Sequence, residues 1–481
     1  MRVISSWLFA RALGGVLLVA FVSLGVQAQG LFGASGVTPV SAFVASAKRA
    51  GHGFWRHPSA LWWASTDAMI TSVWIVGMVA AIALLVGLLP KIALALSWFA
   101  YLSFVSVGWP FMSFQWDTLL LEVSFTAFFF VPWCLRDRLA QHPEPHPVAR
   151  WALWWLLFRL VFRSGIVKLS SGDPTWADLS ALTYHYWTQP LPTAFAWYAN
   201  RLPDGVQTLS CLLMFFIELG APILIWIPRP WARRTAAAAI VTLMLLIALT
   251  GSYGFFNLLT IVLCIPLLDD HLLQRIVPSR FVPPAKPEHA ARWHTWPGVA
   301  PAAVIAISAV MFFTGTFGER VPSWLSPVYP FGTFNNYGLF AVMTTERPEI
   351  ELEGTLDGKT WKPYVFRYKP GPLDRAPVWA APHQPRLDWQ MWFAALGDYR
   401  RNPWLANLIT RLLEGEPSVL RLLGENPFED QPPKQVRALV YRYGFTNSEE
   451  RNATGNWWKR TDRALYAPIL GVPIEPANTA E

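Results

Sequence analysis

The chain has 481 residues, 53% hydrophobic and 15% charged, with a mean hydropathy of +0.30, which excludes an ordinary soluble protein and requires lipid as part of the solvent. The net charge of +8 lies wholly in residues 1–317, because residues 318–481 hold 19 Lys or Arg against 19 Asp or Glu; it reads as membrane topology and not as nucleic-acid binding. Cys134, Cys211 and Cys264 all fall inside hydrophobic runs, which excludes a disulfide framework, a CxxC pair or a cysteine-rich zinc site.

A bilayer core of about 30 Å needs about 20 apolar residues per helix. Runs of that kind, bounded by Pro, Gly or charge, occupy 7–27, 68–89, 91–109, 115–134, 151–170, 206–227, 234–250, 253–268 and 298–317. They predict a polytopic α-helical membrane bundle of about nine spans over residues 1–317. The first run follows Arg2 and Arg11 and ends in Val26-Gln27-Ala28, so it also fits a cleavable signal peptide. With the N-terminus cytoplasmic, the cytoplasmic segments hold 13 cations, including Arg2 and those in and around a Pro-rich loop at 278–287. The opposite loops hold four: Lys48, Arg49, Arg56 and Arg201. This asymmetry places the tail outside the cytoplasm, in a periplasm or an organelle lumen.

Six ionisable residues sit at membrane depth: Asp117 and Glu122 in the fourth run, Arg159, Arg163 and Lys168 in the fifth, and Glu218 in the sixth. A lone charge near the bilayer centre is unfavourable by several kcal/mol, so these groups should face the bundle interior and pair with one another. Arg159 and Arg163 share a helix face and suit bridging to carboxylates on neighbouring helices. The cluster fits a structural ion-pair network or a substrate- or proton-handling site. The loop after the fifth run, Ser170-Ser-Gly-Asp-Pro-Thr-Trp176 and Tyr184-His-Tyr-Trp-Thr-Gln-Pro-Leu-Pro192, is too aromatic for a simple solvated linker and should fold against the membrane surface or the bundle.

The tail, residues 318–481, reads as a soluble, β-rich α+β domain. Ile350–Leu356 and Trp361–Tyr368 flank Asp357-Gly358 as a β-hairpin, and Val436–Tyr443 is a third strand. Asp388–Tyr399, with Asp388 as N-cap, and Pro403–Leu423 are helical. No internal repeat emerges. Gly354–Thr360 is one residue short of a phosphate-binding loop, and neither GxSxG nor HExxH occurs. His52 and His57 lack a clear third ligand, so no motif calls for a metal or a cofactor.

With Phe114-Gln-Trp-Asp-Thr-Leu-Leu-Leu-Glu122, Lys168-Leu-Ser-Ser-Gly-Asp-Pro-Thr-Trp176, Tyr184–Pro192, Tyr253-Gly-Phe-Phe-Asn257, Asn336–Glu349 and Ala381–Phe393, the sequence resembles the lipase maturation factor family from about residue 50 to about 460. The resemblance implies a membrane-embedded folding assistant, partnered by lipid and by a secreted lipase or similar hydrolase, whose C-terminal domain binds the client. It also implies an ER membrane and lumenal redox partners, but the aqueous regions lack cysteine. The chain ends Ala477-Asn-Thr-Ala-Glu481 with no ER retrieval tetrapeptide. A bacterial inner membrane with a periplasmic tail is therefore expected, an ER membrane being the alternative.

Two other functions compete. One is a membrane enzyme distantly resembling the transmembrane domain of vitamin K-dependent carboxylases, with Lys168, His185 and Glu218 as acid or base groups. The other is a transporter, for which inverted repeats are lacking. For client recognition the expected residues are Asn335, Asn336, Arg347, His383, Arg386, Asp388, Trp389 and Trp392, since aromatics and Arg dominate binding hot spots. The alternative is that Arg347 and Arg386 pair with Glu349 and Asp388 while the Trp rings fill the tail's core.

Overall fold

The computed structural model describes residues 3–275, 296–318, 320 and 322–472. Arg2, the Pro-rich 278–287 loop with its neighbouring Arg292, and the last residues of the chain lie outside the described residues.

A helix stands at each of the nine apolar runs: α1 (Val3–Phe32), α2 (Asp67–Val86), α3 (Pro90–Val105), α4 (Gln115–Phe128), α5 (Pro147–Ser170), α6 (Asp204–Leu224), α7 (Pro230–Thr250), α8 (Phe256–Cys264) and α9 (Trp296–Thr316). By length and composition, five helices among the described residues can cross a membrane: α1, α2, α6, α7 and α9 from Pro297; α3 and α8 are apolar but shorter. Local chemistry sets several ends. The Thr66 hydroxyl accepts the Met69 N–H at the start of α2, and Gly87, at φ 79°, closes it in the left-handed conformation. In α6 the α-helix widens to a π-turn over Phe216–Gly220 before resuming.

At the centre runs α1, with Phe9, Leu13, Leu17, Phe21, Leu24 and Leu31 fully buried along its length. Gly14 lets α2 approach: a Cβ there would lie 2.6 Å from the Leu85 nitrogen. Along its length α1 packs against other bundle helices and the tail.

The tail forms a four-stranded antiparallel sheet in the order β2-β1-β5-β6, from β1 (Arg347–Thr355), β2 (Trp361–Pro363), β5 (Gln435–Phe445) and β6 (Trp458–Gly471). A smaller pair joins β3 (Val365–Phe366) to β4 (Leu423–Glu425). The Asp357 carboxylate accepts the Lys359 and Thr360 N–H groups in the β1–β2 turn, and Gly358 takes φ 72°. The expected hairpin is there, but its second arm stops at Pro363 and continues into the β3–β4 pair.

Two helix expectations are corrected, and the sheet has an edge strand not anticipated from the sequence. The strand β6 lacks apolar alternation because it is an exposed edge, and it carries Lys459, Arg460 and Arg463. The run 403–423 is not one helix: α11 (Pro403–Leu413) ends before Gly415, which takes φ 66°. Preceding it, α10 (Arg386–Ala395) starts after Pro385, so Asp388 is not its N-cap; the carboxylate instead accepts the Tyr368 and Lys369 N–H groups. Nor is the tail a soluble body set apart from the bundle. One continuous hydrophobic core runs from Phe9, Leu17 and Leu121 of the bundle to Ile350, Leu387, Trp389 and Leu408 of the tail.

Candidate functional site

The nine-residue run Phe114–Glu122 opens α4, and its polar side chains point at the tail. The Asp117 carboxylate receives the Arg386 guanidinium through two parallel bonds, at 2.8 and 2.9 Å. The Tyr101 hydroxyl donates to the same carboxylate at 2.5 Å, and Arg386 also donates to the Phe111 carbonyl at 2.6 Å. Both partners are shut off from solvent, with side chains 1% and 0% exposed, so neither charge has water to fall back on.

One turn and a half further on, Glu122 pairs with Arg159 of α5. Its second oxygen accepts the Asn335 backbone and side-chain N–H groups, both at 3.0 Å, and the Tyr337 hydroxyl at 2.5 Å. Arg159 closes the ring by donating to the Asn335 carbonyl. Gln115 exchanges bonds with Gly338. Gln115, Asp117 and Glu122 thus hold two tail segments, 335–338 and 386, from one helix.

Other bundle groups complete this seam. On α1, Ser23 and Gln27 are four apart and meet residues 383–386: Ser23 lies 2.9 Å from the His383 ring and accepts the Gln384 N–H, and Gln27 accepts the Arg386 N–H while donating to the Gln384 carbonyl. Arg347, ion-paired with Glu349 inside the tail, donates to the Trp187, Gln189 and Pro190 carbonyls of the aromatic loop. That loop also caps the tail through Asp173, which accepts the Met343 N–H at 2.5 Å. The Trp389 ring meets Trp116 edge-on at 4.7 Å, and the Trp392 indole donates to the Thr188 carbonyl.

Another buried ion pair lies apart from the seam. Lys168 donates to both oxygens of Glu218 at 2.8 Å, and Glu218 sits on the π-turn of α6. Gly165 allows this approach, since a Cβ there would fall 2.7 Å from Leu219 and 3.2 Å from the Glu218 Cβ.

Of the six charges expected at membrane depth, the structure pairs Glu122 with Arg159 and Glu218 with Lys168. Two expected pairings are corrected. Asp117 takes its partner from the tail, 269 residues away, and among the described residues Arg163 meets no carboxylate. Arg163 reaches the C-terminal turn of α9, where helix carbonyls lack intrahelical partners, and donates to Phe312, Gly315 and Thr316 there and to the Tyr337 carbonyl.

Among the expected client-contact residues, Arg347, Arg386, Asp388, Trp389 and Trp392 are buried, Asn335 and His383 are half-buried, and Asn336 is exposed. Arg347, Arg386, Trp389 and Trp392 face the bundle because their hydrogen-bonding and apolar groups find partners there, whereas Asp388 is held inside the tail. Burial pushes the Asp388 carboxyl up, against the pull of the two N–H groups it accepts. Burial, with the Arg386 and Arg367 charges, pushes His383 down to about 4. Of the alternative pairings, Arg347 does meet Glu349 at 2.6 Å, whereas Arg386 goes to Asp117 and not to Asp388. Sequence reasoning missed Ser23, Gln27, Tyr101 and Tyr337. The first two carried a readable signal, being polar residues one helical turn apart in an apolar run. Among the described residues, no three His, Cys, Asp or Glu side chains group to hold a metal.

The lipase maturation factor transmembrane domain matches residues 4–275, and the lipase maturation factor C-terminal domain matches residues 333–468. Lipase maturation factor 2 of Xenopus laevis is 34% identical, across 96% of this chain and 82% of its own length. Its namesake in Homo sapiens is 34% identical across 94% and 80%. Lipase maturation factor 1 of Bos taurus is 31% identical across 96% and 88%. No solved structure matches. The two matched regions are those that the Asp117–Arg386 and Glu122–Asn335 contacts join, and this chain, a membrane protein with a sheet-containing C-terminal domain, belongs to the lipase maturation factor family.

Proposed function

We propose that the protein is a membrane-embedded maturation factor that assists a secreted lipase or a similar extracytoplasmic hydrolase, without itself catalysing a reaction. In this reading the chain crosses the membrane nine times. The cation asymmetry of the loops supports a tail on the non-cytoplasmic side, facing the periplasm of a bacterial inner membrane; for a chain of this family the ER lumen is the alternative. The observation that carries the reading is family membership across both halves of the chain.

The tail's role is client recognition, on the part of the Asn335–Glu349 segment that reaches solvent. Asn336, Thr345 and Glu346 are exposed there. Thr345 and Glu346 line a groove of about 400 Å³ with Trp187, Arg442, Phe445 and Lys459. Apolar rings flanked by charges of both signs suit a protein surface. The Arg and Trp residues behind the groove hold it in place, so their loss would act through the fold.

Glu346→Lys combined with Arg442→Glu tests this. Both side chains are exposed, and such changes alter stability by about 0.5 kcal/mol or less. Secreted lipase activity should fall severalfold while the folded amount at the membrane stays normal. Unchanged lipase activity would overturn the assignment of this groove, as would a loss that tracks the folded amount.

A further inference from the structure

The Lys168–Glu218 pair borders a cavity of about 360 Å³ enclosed by α5, α6, α7, α8 and the segment 176–202. Its walls are mostly apolar, with Leu160, Leu243, Ile247 and Phe256 among them. The volume falls within the range of sites that take a drug-sized ligand, about 300–1,000 Å³. Among the polar groups in its lining are Tyr253, His185 and Asn257. Tyr253 donates to Gln189 at 2.7 Å and lies 3.3 Å from the His185 ring. Beside them Asn257 is 4% exposed, and neither its amide nitrogen nor its oxygen has a hydrogen-bond partner among the described residues. A buried amide with both donor and acceptor free is uncommon in a folded protein and marks a place where a partner group belongs.

Charge narrows what that partner is. Lys168 and Glu218 neutralise each other, and burial with the Lys168 charge pushes His185 down to about 4, so these polar groups carry no net charge near neutral pH. An anionic headgroup would have to displace Glu218 from Lys168. The mouth shows where the ligand enters. Phe195 (49% exposed), Leu246 (56%) and Leu249 (37%) line it, and the last two lie on α7, one of the helices able to cross a membrane. The mouth is therefore apolar and suits the entry of an apolar chain.

We infer that this cavity binds one uncharged acyl lipid of the acylglycerol class, its chain along the apolar walls and its ester or hydroxyl group on the free amide of Asn257. The inference rests on the cavity alone and not on the client reading.

The test uses the full chain in phosphatidylcholine nanodiscs with diacylglycerol carrying a photoactivatable diazirine in its acyl chain, and phosphatidylglycerol carrying the same chain as the charged comparison. Labelled residues are mapped by mass spectrometry. Diacylglycerol should label peptides covering 243–260, unlabelled diacylglycerol should compete, and Asn257→Leu should lower labelling about tenfold with normal thermal unfolding. Ala199→Trp, which fills the cavity from a short surface helix, should do the same and decides the matter if the first variant fails to fold. Equal labelling by the phosphatidylglycerol probe overturns the inference. So does labelling confined to outward residues such as Phe216 and Leu245, or labelling that neither variant lowers.

Discussion

Two buried polar clusters in this protein share a chemistry and differ in what surrounds them. At the seam, both oxygens of Asp117 and of Glu122 accept hydrogen bonds, from Arg386, Tyr101, Arg159, Asn335 and Tyr337. At the cavity, Lys168 and Glu218 satisfy each other while the neighbouring Asn257 amide stays free, next to a space of about 360 Å³. An ion pair inside a membrane protein is thus no indicator of function by itself. An apolar space beside the pair separates a joint between two parts of a fold from a place that receives something else.

Breaking the seam should have the largest effect. Asp117→Leu leaves the Arg386 charge buried and unpaired, a loss of about 3–5 kcal/mol. Thermal unfolding in detergent should show it, with lipase activity falling in step with the folded amount. Arg386→Met should do the same from the tail side. Glu122→Gln keeps the shape but removes the charge from bonds worth about 1.5–3 kcal/mol each to a charged group. Partial destabilisation should follow, with earlier proteolysis near residues 317–335; stability equal to the native chain would remove Glu122 from the seam.

The cavity pair should behave otherwise when both charges go. Lys168→Met with Glu218→Leu replaces a buried ion pair by apolar groups of similar size, which is often neutral or stabilising by about 1–4 kcal/mol. Lys168→Met alone should destabilise. If the double variant is no more stable than the single one, the pair holds the bundle together as the seam does, and the contrast between the clusters disappears.

A smaller effect comes from pH. The His383 ring binds its proton near 4 in the folded protein against about 6.5 in an unfolded chain. Between those values the unfolded state holds more protons, so stability from this group is present above about 6.5 and is lost as the pH falls toward 4. From pH 7 to 5 the loss is at most about 2 kcal/mol. His383→Gln should flatten this part of the stability profile, and an unchanged slope would mean that other groups set it.

Much of the bundle was legible because apolar runs of about 20 residues have few other uses. A buried charge must also pair, which made Glu122, Arg159, Lys168 and Glu218 readable as a group. The choice of partner was not legible for Asp117, since hydropathy says nothing of a residue 269 positions away. Among the described residues Arg163 meets helix-end carbonyls, which leave no mark in side-chain patterns and serve a guanidinium as well as a carboxylate does. The strand β6 went unread for lack of an apolar face. In Arg386, Trp389 and Trp392 the sequence displayed the residue types of an interface, but they face the bundle of the same chain.

The central claim, that Asp117 and Arg386 lock the tail to the bundle, is tested most directly by a double-mutant cycle of Asp117→Leu and Arg386→Met read by thermal unfolding of the full chain. The account predicts a coupling of about 2–3 kcal/mol, the double variant being more stable than the sum of the single losses allows. Losses that add to within about 0.5 kcal/mol would contradict it, because residues that do not touch behave that way.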